Sequence, residues 1–225
     1  MVSVIIPTYH EERALPGTLE RLFRQAGEYE VLVVDGGSTD RTCELVAHEA
    51  RVRRLHAPKG RAAQMNRGAA EAQGEWLLFL HADTTLPDGA LARLNASEQD
   101  GSIQAGGFLH QFSGSDWRLR VISFLDNVRC RQSRMIYGDQ AMFVRRSLFQ
   151  ALGGFPNQPI LEDVAFCEKL QAVARPVLFA PPVVTDARKF IQMGIWRSFV
   201  RVLLIILHVQ FRLPILPRVF FQDVR

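Results

Sequence analysis

The sequence has few cysteines, few lysines and no long hydrophobic segment. Cys43, Cys130 and Cys167 lie far apart and form no CxxC pair, so they indicate neither a disulfide framework nor a zinc site and favour a reducing cytosol. The most apolar stretch, Phe199 to Phe211, is shorter than the roughly 20 residues that a membrane-spanning helix needs. The apolar start, Val2 to Ile6, lacks the basic flank and cleavage site of a signal peptide. We therefore expect a chain that is neither exported nor membrane-spanning.

Because lysine is scarce, arginine supplies most of the positive charge. Lysine occurs only at positions 59, 169 and 189, although Lys and Arg together number 27, and the net charge is +4 with a pI near 9.3. This excess suits an anionic small ligand, and it suits a nucleic acid or an acidic membrane equally well. The arginines are scattered and no RNP, helix-turn-helix or Cys/His motif accompanies them, so we expect no nucleic-acid partner.

The first hundred residues alternate between β-branched or apolar runs and amphipathic segments. Hydrophobic residues make up 48% and charged residues 22% of the 225, which is the balance of a globular protein, and one domain covering 1–225 is expected. The predicted strands are Val2–Ile6, Glu30–Asp35, Arg53–His56 and Trp76–Leu80, and the predicted helices are Pro16–Phe23, a segment from the caps at 38–40 through Ala47, Gly60–Ala72 and Asp88–Leu94. The alternation predicts an α/β fold with a mostly parallel, right-handed sheet.

After Pro87 the pattern becomes mixed. The segments there are a strand at Gln104–Phe112, a basic amphipathic stretch at Trp117–Arg134, a turn at Gly138-Asp139, a strand at Ala141–Val144, and helices at Ser147–Leu152 and Leu161–Val173. From Gly194 the tail reads as an apolar helix with arginines, ended by Pro214 and Pro217.

Polar side chains follow three of the predicted strands. They lie at Thr8–Glu12, Asp35–Asp40 and His81–Thr84. In an open parallel sheet, ligands bind outside the carboxyl ends of the strands. Two acidic groups there suit a nucleotide, one for its base or ribose and one for a divalent metal on its diphosphate.

Each of these residues also has a purely structural interpretation. Asp35 before Gly-Gly is typical of a turn, Asp40 of a helix cap, and the His81 to Thr84 segment of a strand end. Lys59-Gly60-Arg61 is either a phosphate site at a helix start or a solvated basic face. Glu162 and Asp163 in a first helical turn either complement the helix dipole or supply a general base.

Together these segments resemble the family 2 glycosyltransferases, over Ser3 to about Arg197, and most closely a compact bacterial subgroup. The residues that carry the resemblance are Ser3–Glu12, Val33–Thr42, Gly74–Asp83, Tyr137–Gln140, Leu152–Phe155 and Leu161–Asp163. The resemblance implies a GT-A fold with a nucleotide-sugar half at 1–100, a mixed acceptor and catalytic half at 101–198, and an apolar tail at 199–225. It also implies an inverting transfer of a sugar from a UDP- or GDP-linked donor to an acceptor hydroxyl.

The resemblance assigns roles residue by residue. It implies that Asp163 is the general base. It implies that Asp83 binds Mg²⁺ or Mn²⁺, with His81 as a further candidate ligand of the metal. The implied donor-binding residues are Pro7, Thr8, Glu11, Asp35, Arg61, His81 and Ala82. The implied acceptor side is Gly138, Asp139, Gln140 and Glu162, and the implied diphosphate residues are Arg188, Trp196 and Arg197. Two positions depart from the family pattern: its paired aspartates are here Asp35-Gly36, and the first Asp of its DxD is here His81.

Two other functions remain open from the sequence. One is transfer to a polyprenyl phosphate, with Trp117–Arg134 and Phe199–Arg218 as interfacial helices and the protein peripheral at the inner face of the cell membrane. If those stretches are instead core or contact helices, the protein is cytoplasmic and a homodimer is open. The other is a catalytically silent nucleotide-sugar binding module, suggested by Gly36 and His81. The sugar, nucleotide and acceptor are not specified.

Overall fold

The computed structural model describes residues 1–158 and 160–210 of the chain. Its strands are β1 (Val2–Thr8), β2 (Tyr29–Asp35), β3 (Val52–His56), β4 (Trp76–Phe79), β5 (Thr84–Thr85), β6 (Ala105–Phe112), β7 (Phe143–Arg145) and β8 (Val177–Thr185). Its helices are α1 (Leu15–Leu22), α2 (Thr42–Ala47), α3 (Arg61–Glu71), α4 (Ala90–Ala96), α5 (Trp117–Ser133), α6 (Arg146–Ala151), α7 (Glu162–Gln171), α8 (Arg188–Met193) and α9 (Ile195–Gln210), with a 3-10 turn at Gly138–Gln140. The predicted end of the tail at Pro214 and Pro217 lies outside the described residues.

The described strands form one sheet in the order β3-β2-β1-β4-β7-β6-β8-β5. β1 pairs in parallel with β2 and β4, and the pairs β2–β3 and β6–β8 are also parallel. The pairs of β7 with β4 and β6, and of β5 with β8, are antiparallel. The first half is therefore the parallel α/β layer that the sequence predicts, and the second half is mixed.

The register of the parallel strands brings their carboxyl ends to one edge. Thr8 at the end of β1 pairs with Asp35 at the end of β2, and Asp35 pairs with His56 at the end of β3. On the other side Ile5 pairs with Phe79, so the segment that follows β4 leaves the sheet at the same edge. The polar residues that follow these strands consequently meet there.

Helices cover both faces of the sheet because successive strand side chains point to opposite sides. Val4 and Ile6 of β1 belong to the core under α1 and α4, whereas Ile5 belongs to the core under α3 and α7. α1 places Leu15, Leu19 and Leu22 on one buried stripe at helical spacing. The strand ends emerge between these layers.

Two strands differ from the sequence prediction because of proline. β1 continues through Pro7 to Thr8, since pairing with β4 ends at Ile5 and the missing N–H of Pro7 faces the side with no further pairing. β8 was not predicted, because Pro181 and Pro182 interrupt its apolar pattern. In the structure they fall in the irregularity where the pairing with β6 shifts.

α5 and α9 lie against each other at the surface. The rings of Trp117 on α5 and Trp196 on α9 are 6.3 Å apart. α9 begins directly after Gly194, whose φ of +88° ends α8. Within residues 1–158 and 160–210, no helix combines the length and apolarity needed to cross a membrane.

The junction of β6, β7 and β8 depends on the absence of a side chain at Gly106. A Cβ at this position would overlap the Val177 carbonyl oxygen and the Phe143 ring. We expect Gly106→Ala to lower the free energy of unfolding by about 2 kcal/mol through overpacking, measured by urea denaturation. Gly101→Ala is the control, since its Cβ has nothing within 4 Å. Equal stability of the two variants would contradict this packing.

Candidate functional site

Asp35 is the last residue of β2, and its side chain is held by the loop that follows. Its Oδ2 accepts hydrogen bonds from the backbone N–H groups of Gly37 (2.8 Å) and Ser38 (2.9 Å), and its Oδ1 accepts one from the Ser38 hydroxyl. Burial alone would raise the pKa of Asp35, but the hydrogen bonds from Ser38 and Gly37 outweigh it and hold the pKa below the usual value. The carboxylate thus shapes its own turn, and the lone pairs that remain are what it can offer a ligand.

Gln64 of α3 joins the ends of β1 and β2 beneath this loop. Its Nε2 donates to the carbonyl oxygens of Thr8 (2.7 Å) and Val34 (2.8 Å). A Cβ on Gly36 would lie 3.1 Å from this amide. The glycine that replaces the family's second aspartate therefore lies where Gln64 leaves little room for a side chain.

Glu11, after β1, and Asp83, after β4, share one cation. Lys189 Nζ lies 3.1 Å from Glu11 Oε1 and 3.2 Å from Asp83 Oδ2. Arg188 reaches the other oxygen of Glu11 at 3.3 Å. Burial would lower the pKa of Lys189, but Asp83 and Glu11 outweigh it and raise the pKa above its usual value.

His81 and Asp163 face each other across Gly138. The backbone N–H of Gly138 donates to Asp163 Oδ2 at 2.6 Å, and a Cβ on this glycine would lie 2.7 Å from His81 Nε2 and 3.1 Å from Asp163 Oδ2. The second oxygen of Asp163 accepts the Val164 N–H at 2.9 Å. The start of α7 and the segment after β4 therefore meet at one point, where a side chain at position 138 would crowd His81 and Asp163.

The charges around His81 come from both halves of the chain. Burial, and then the nearby Arg61, lower its pKa to about 4, while Asp83 and Asp163 act in the opposite direction. The imidazole is therefore neutral at pH 7 and has both a donor and an acceptor nitrogen.

Arg61, the first residue of α3, pairs with Glu162, the first residue of α7. Arg61 Nε is 2.7 Å from Glu162 Oε1, and the Glu162 side chain is only 2% exposed. Burial raises the pKa of Glu162 and Arg61 partly offsets this. The start of a helix lowers the pKa of a carboxylate, but for Glu162 burial is the larger effect.

The predicted acceptor residues differ in what they contact. The Gln140 side chain is fully buried, accepts the Tyr137 N–H at 2.9 Å and donates to the Phe108 carbonyl at 3.3 Å, so it fastens the 3-10 turn. Asp139 is partly open, and its Oδ2 lies 3.8 Å from Nε2 of the buried His110. Within the described residues, neither that nitrogen nor Asp139 Oδ1 has a hydrogen-bond partner.

The remaining predicted residues fall in different places. Thr8 is buried, Ala82 is buried with its carbonyl accepting the Thr18 hydroxyl at 2.7 Å, and Pro7 is inside β1. Trp196 packs on Trp117 and Phe199, and Arg197 is exposed on α9.

Sequence reasoning missed Lys189 and His110. Lys189 is one of three lysines and directly follows Arg188, which was a weak signal. His110 lies in a strand pattern with no polar motif around it, so nothing in the sequence singled it out. Both reach the site only through the fold.

The arrangement combines the buried carboxylate of Asp163 with the cationic side chains of Arg61, Arg188 and Lys189. The described residues contain no group of three or more His, Cys, Asp or Glu side chains placed to hold a metal ion. Glu11 and Asp83 nevertheless converge on one positive charge. Magnesium is commonly bound by one or two carboxylates together with substrate phosphates, and this pair fits that pattern.

Comparison with known proteins identifies the relatives of the chain. The model of the family described as "Glycosyl transferase family 2" matches residues 3–153. The chain is 33% identical over 170 residues to a PGL/p-HBAD biosynthesis glycosyltransferase of Mycobacterium tuberculosis, covering 69% of this chain and 63% of the relative. It is 30% identical over 169 residues to the undecaprenyl-phosphate 4-deoxy-4-formamido-L-arabinose transferase of Pseudomonas aeruginosa, covering 68% and 49%.

Solved structures support the GT-A fold. The mannosyltransferase of Pyrobaculum calidifontis in complex with GDP-Man and Mn²⁺ superposes with a TM-score of 0.69 at 24% identity, covering 96% of this chain and 65% of that chain. The S. aureus TarS 1–349 complex with UDP-GlcNAc gives a TM-score of 0.67 at 18% identity, covering 92% and 66%. The predicted α/β fold of the GT-A type is confirmed. The chain spans only about 63% or less of the curated relatives named here.

The Arg61–Glu162 pair predicts a stability loss that depends on pH. Because the folded-state pKa of Glu162 lies above its usual 4.5 and Arg61 opposes this rise, removing Arg61 favours the protonated acid further. We expect Arg61→Met to lower the free energy of unfolding by about 2 kcal/mol at pH 7.5. The figure is moderated because Arg61 is 41% exposed. The loss should be smaller at pH 4.5, where protonated Glu162 carries no charge to compensate.

Urea denaturation at the two pH values tests this expectation. Arg67→Met is the control on the same helix, since Arg67 pairs with Glu71 at the surface and should contribute less than about 0.5 kcal/mol. A loss for Arg61→Met that is equal at both pH values would mean that Arg61 contributes by packing rather than by charge.

Proposed function

The chain belongs to glycosyl transferase family 2, and on that premise we propose that it transfers a sugar from a UDP- or GDP-linked donor to an acceptor hydroxyl with inversion at the anomeric carbon. The observation that carries the proposal is the contact of Asp163 with Gly138 beside His81, next to Glu11 and Asp83 at the carboxyl edge of the sheet. Residues 1–100 would hold the donor and residues 101–198 the acceptor, within one domain.

Asp163 is the proposed general base. Its two amide hydrogen bonds orient the carboxylate and leave lone pairs on both oxygens. The residue is only 6% exposed, so an acceptor hydroxyl that reaches it would meet a carboxylate largely shielded from water. Asp163 takes the hydroxyl proton, the acceptor oxygen bonds to the anomeric carbon, and the bond from that carbon to the diphosphate oxygen breaks.

The donor would lie along the carboxyl edge. Pro7, Thr8, Glu11 and Asp35 are proposed to line the base and ribose, and Arg61, His81 and Ala82 the sugar and phosphates. Arg188 lies 3.3 Å from Glu11, which we place beside the donor, so its guanidinium could reach the diphosphate. This position supports its proposed role. Within the described part of the chain Trp196 and Arg197 make no such contact, so their proposed diphosphate role rests on the resemblance alone.

Mg²⁺ or Mn²⁺ is the proposed cofactor. Asp83, with Glu11 beside it, would hold the cation, whereas His81 Nε2 points towards Gly138 and is better placed for the donor sugar or the acceptor. When bound, the cation would neutralise the charge on the departing diphosphate. The solved relative with Mn²⁺ and GDP-Man supports this choice.

The acceptor would enter beside Asp139 and Glu162. The unpaired polar atoms of Asp139 and His110 suit the hydroxyls of a polar acceptor, since buried polar groups without partners are costly. Gly138 would orient Asp163 through its backbone N–H, and Gln140 would keep the turn in place.

Replacement of the proposed base separates an enzyme from a silent binding module. We expect Asp163→Asn to lower kcat by about 100- to 1000-fold, because the amide cannot accept the proton, while nucleotide binding stays unchanged. Calorimetry with UDP and GDP, with and without Mn²⁺, reports binding, and release of nucleoside diphosphate reports turnover. Glu168→Gln, on an exposed face of α7, is the matched control. Wild-type protein that binds a nucleotide but transfers no sugar to any acceptor would favour the silent module.

A second candidate, transfer to a lipid-linked acceptor at the membrane, is favoured by an exposed apolar surface. On α5 this surface consists of Trp117, Val121, Phe124 and Leu125, and on α9 of Trp196, Val200 and Leu203. Trp117 and Phe124 are 64% and 63% exposed. These residues follow helical spacing on each helix, so the surface is continuous where the two helices meet at the tryptophan pair. We call it the α5–α9 surface.

The charges on these helices suit an anionic membrane. α9 contains Arg197 and Arg201 and no acidic residue, and α5 carries the exposed Arg120 and Arg131. Tryptophan rings and arginines beside an apolar stripe are typical of helices that lie at a bilayer interface. The protein would then be peripheral at the inner face of the cell membrane. The relative named for undecaprenyl phosphate supports a lipid phosphate acceptor.

Vesicle binding tests the α5–α9 surface. We expect Trp117→Ser/Phe124→Ser to weaken cosedimentation with phosphatidylglycerol vesicles about tenfold, because two interfacial side chains are lost. Val173→Ser is the control, since Val173 is equally exposed at 62% on another part of the chain. A different result would be that wild-type protein does not bind the vesicles and sediments as a dimer, whereas the variant sediments as a monomer. The α5–α9 surface would then be a contact between two copies of the chain.

A further inference from the structure

An ammonium group lies at the position that the proposed function gives to a metal ion. Lys189 Nζ is 3.1 Å from a Glu11 oxygen and 3.2 Å from an Asp83 oxygen. The two carboxylates are only 15% and 12% exposed, and they come from the ends of two neighbouring parallel strands. The fold therefore concentrates negative charge at one point and supplies a positive charge to it from a distant segment.

A divalent cation and Lys189 cannot both occupy this point. Two positive charges held about 3–4 Å apart against the same two oxygens would repel each other, even with the screening of a protein surface. Glu11 and Asp83 would also have to give up their bonds to Nζ to act as metal ligands. Binding of a divalent cation therefore requires that the Lys189 ammonium group is released.

Lys189 has the freedom to leave. It projects from α8, a helix of six residues with no buried side chain, and it is itself 50% exposed. Its flexible stem can carry the charge a few ångströms without disturbing the core. Arg188 remains beside Asp186, 3.5 Å away, when Glu11 changes its partner.

We propose that Lys189 is the resident counter-ion of the Glu11–Asp83 pair, which a divalent cation displaces, and that the diphosphate of the incoming donor receives the released ammonium. The inference rests on the proposed function, because it assigns the diphosphate and the metal to this edge. It adds that metal alone binds weakly and that donor and metal strengthen each other's binding by the same factor. Lys189 is then a positioning residue for the leaving group and a competitor of the metal.

Metal binding in the absence of nucleotide tests the competition directly. Electron paramagnetic resonance of free Mn²⁺, titrated with protein, gives the affinity without any turnover. We expect Lys189→Met to bind Mn²⁺ about tenfold more tightly than wild-type protein, since the competing charge is gone. Lys189→Arg, which keeps a charge, should stay near wild type. Lys169→Met removes the same charge from an exposed face of α7 and should have no effect.

Two further variants complete the test. Glu11→Gln in the Lys189→Met background should lose most of the gain, because one of the two carboxylates is missing. With saturating UDP or GDP, whichever binds, the Mn²⁺ affinity of wild-type protein should rise more than that of Lys189→Met, because only wild-type protein has an ammonium to release. Circular dichroism verifies that each variant is folded.

The outcomes separate this inference from the function on which it rests. If Lys189→Met binds free Mn²⁺ no better than wild-type protein, or not at all, Lys189 is not a competitor, even when nucleotide binding is normal. If no nucleotide binds to any variant with or without metal, the proposed function fails. Even then, the comparison of free Mn²⁺ affinities decides whether Lys189 competes with a metal ion for the Glu11–Asp83 pair.

Discussion

Parallel pairing of β1 with both β2 and β4 is the constraint on which the rest of the structure depends. It ends these strands at one edge, so that Glu11, Asp35 and Asp83 follow neighbouring strands in space although they are far apart in sequence. No helix packing could bring them together if the register of β1 slipped, because a slip of one residue would move its side chains to the opposite face. The buried valines and isoleucines of β1 fix that register from both sides of the sheet.

The first half of this fold was readable from the sequence because its signals are local. Each strand there is a short apolar run that ends at a turn residue, and each helix has its apolar residues at helical spacing. Asp35 illustrates the limit of such signals. The sequence left open whether it shapes a turn or binds a ligand, and the structure has both carboxylate oxygens engaged by Gly37 and Ser38. A ligand role would have to be added to the structural one.

The second half was less predictable because its features depend on distant partners. β8 carries two prolines that interrupt its pattern, and only the irregular pairing with β6 accommodates them. Lys189 and His110 have no local motif, since what matters is the carboxylate opposite each one. For Glu162, the sequence pointed to the helix start, but burial decides its pKa. Sequence patterns report the backbone well, whereas side-chain charges depend on what the fold places around them.

The helix that brings Arg188 and Lys189 to the sheet edge has no buried side chain. Substitutions on its exposed positions should therefore cost the folded state little, whereas substitutions in the strands beneath Glu11 and Asp83 affect the whole core. In such a molecule the positive charges that we propose to meet the donor can diverge during evolution while the scaffold stays constant. Relatives built on the same sheet could acquire different preferences for metal and leaving group by changing a surface segment alone.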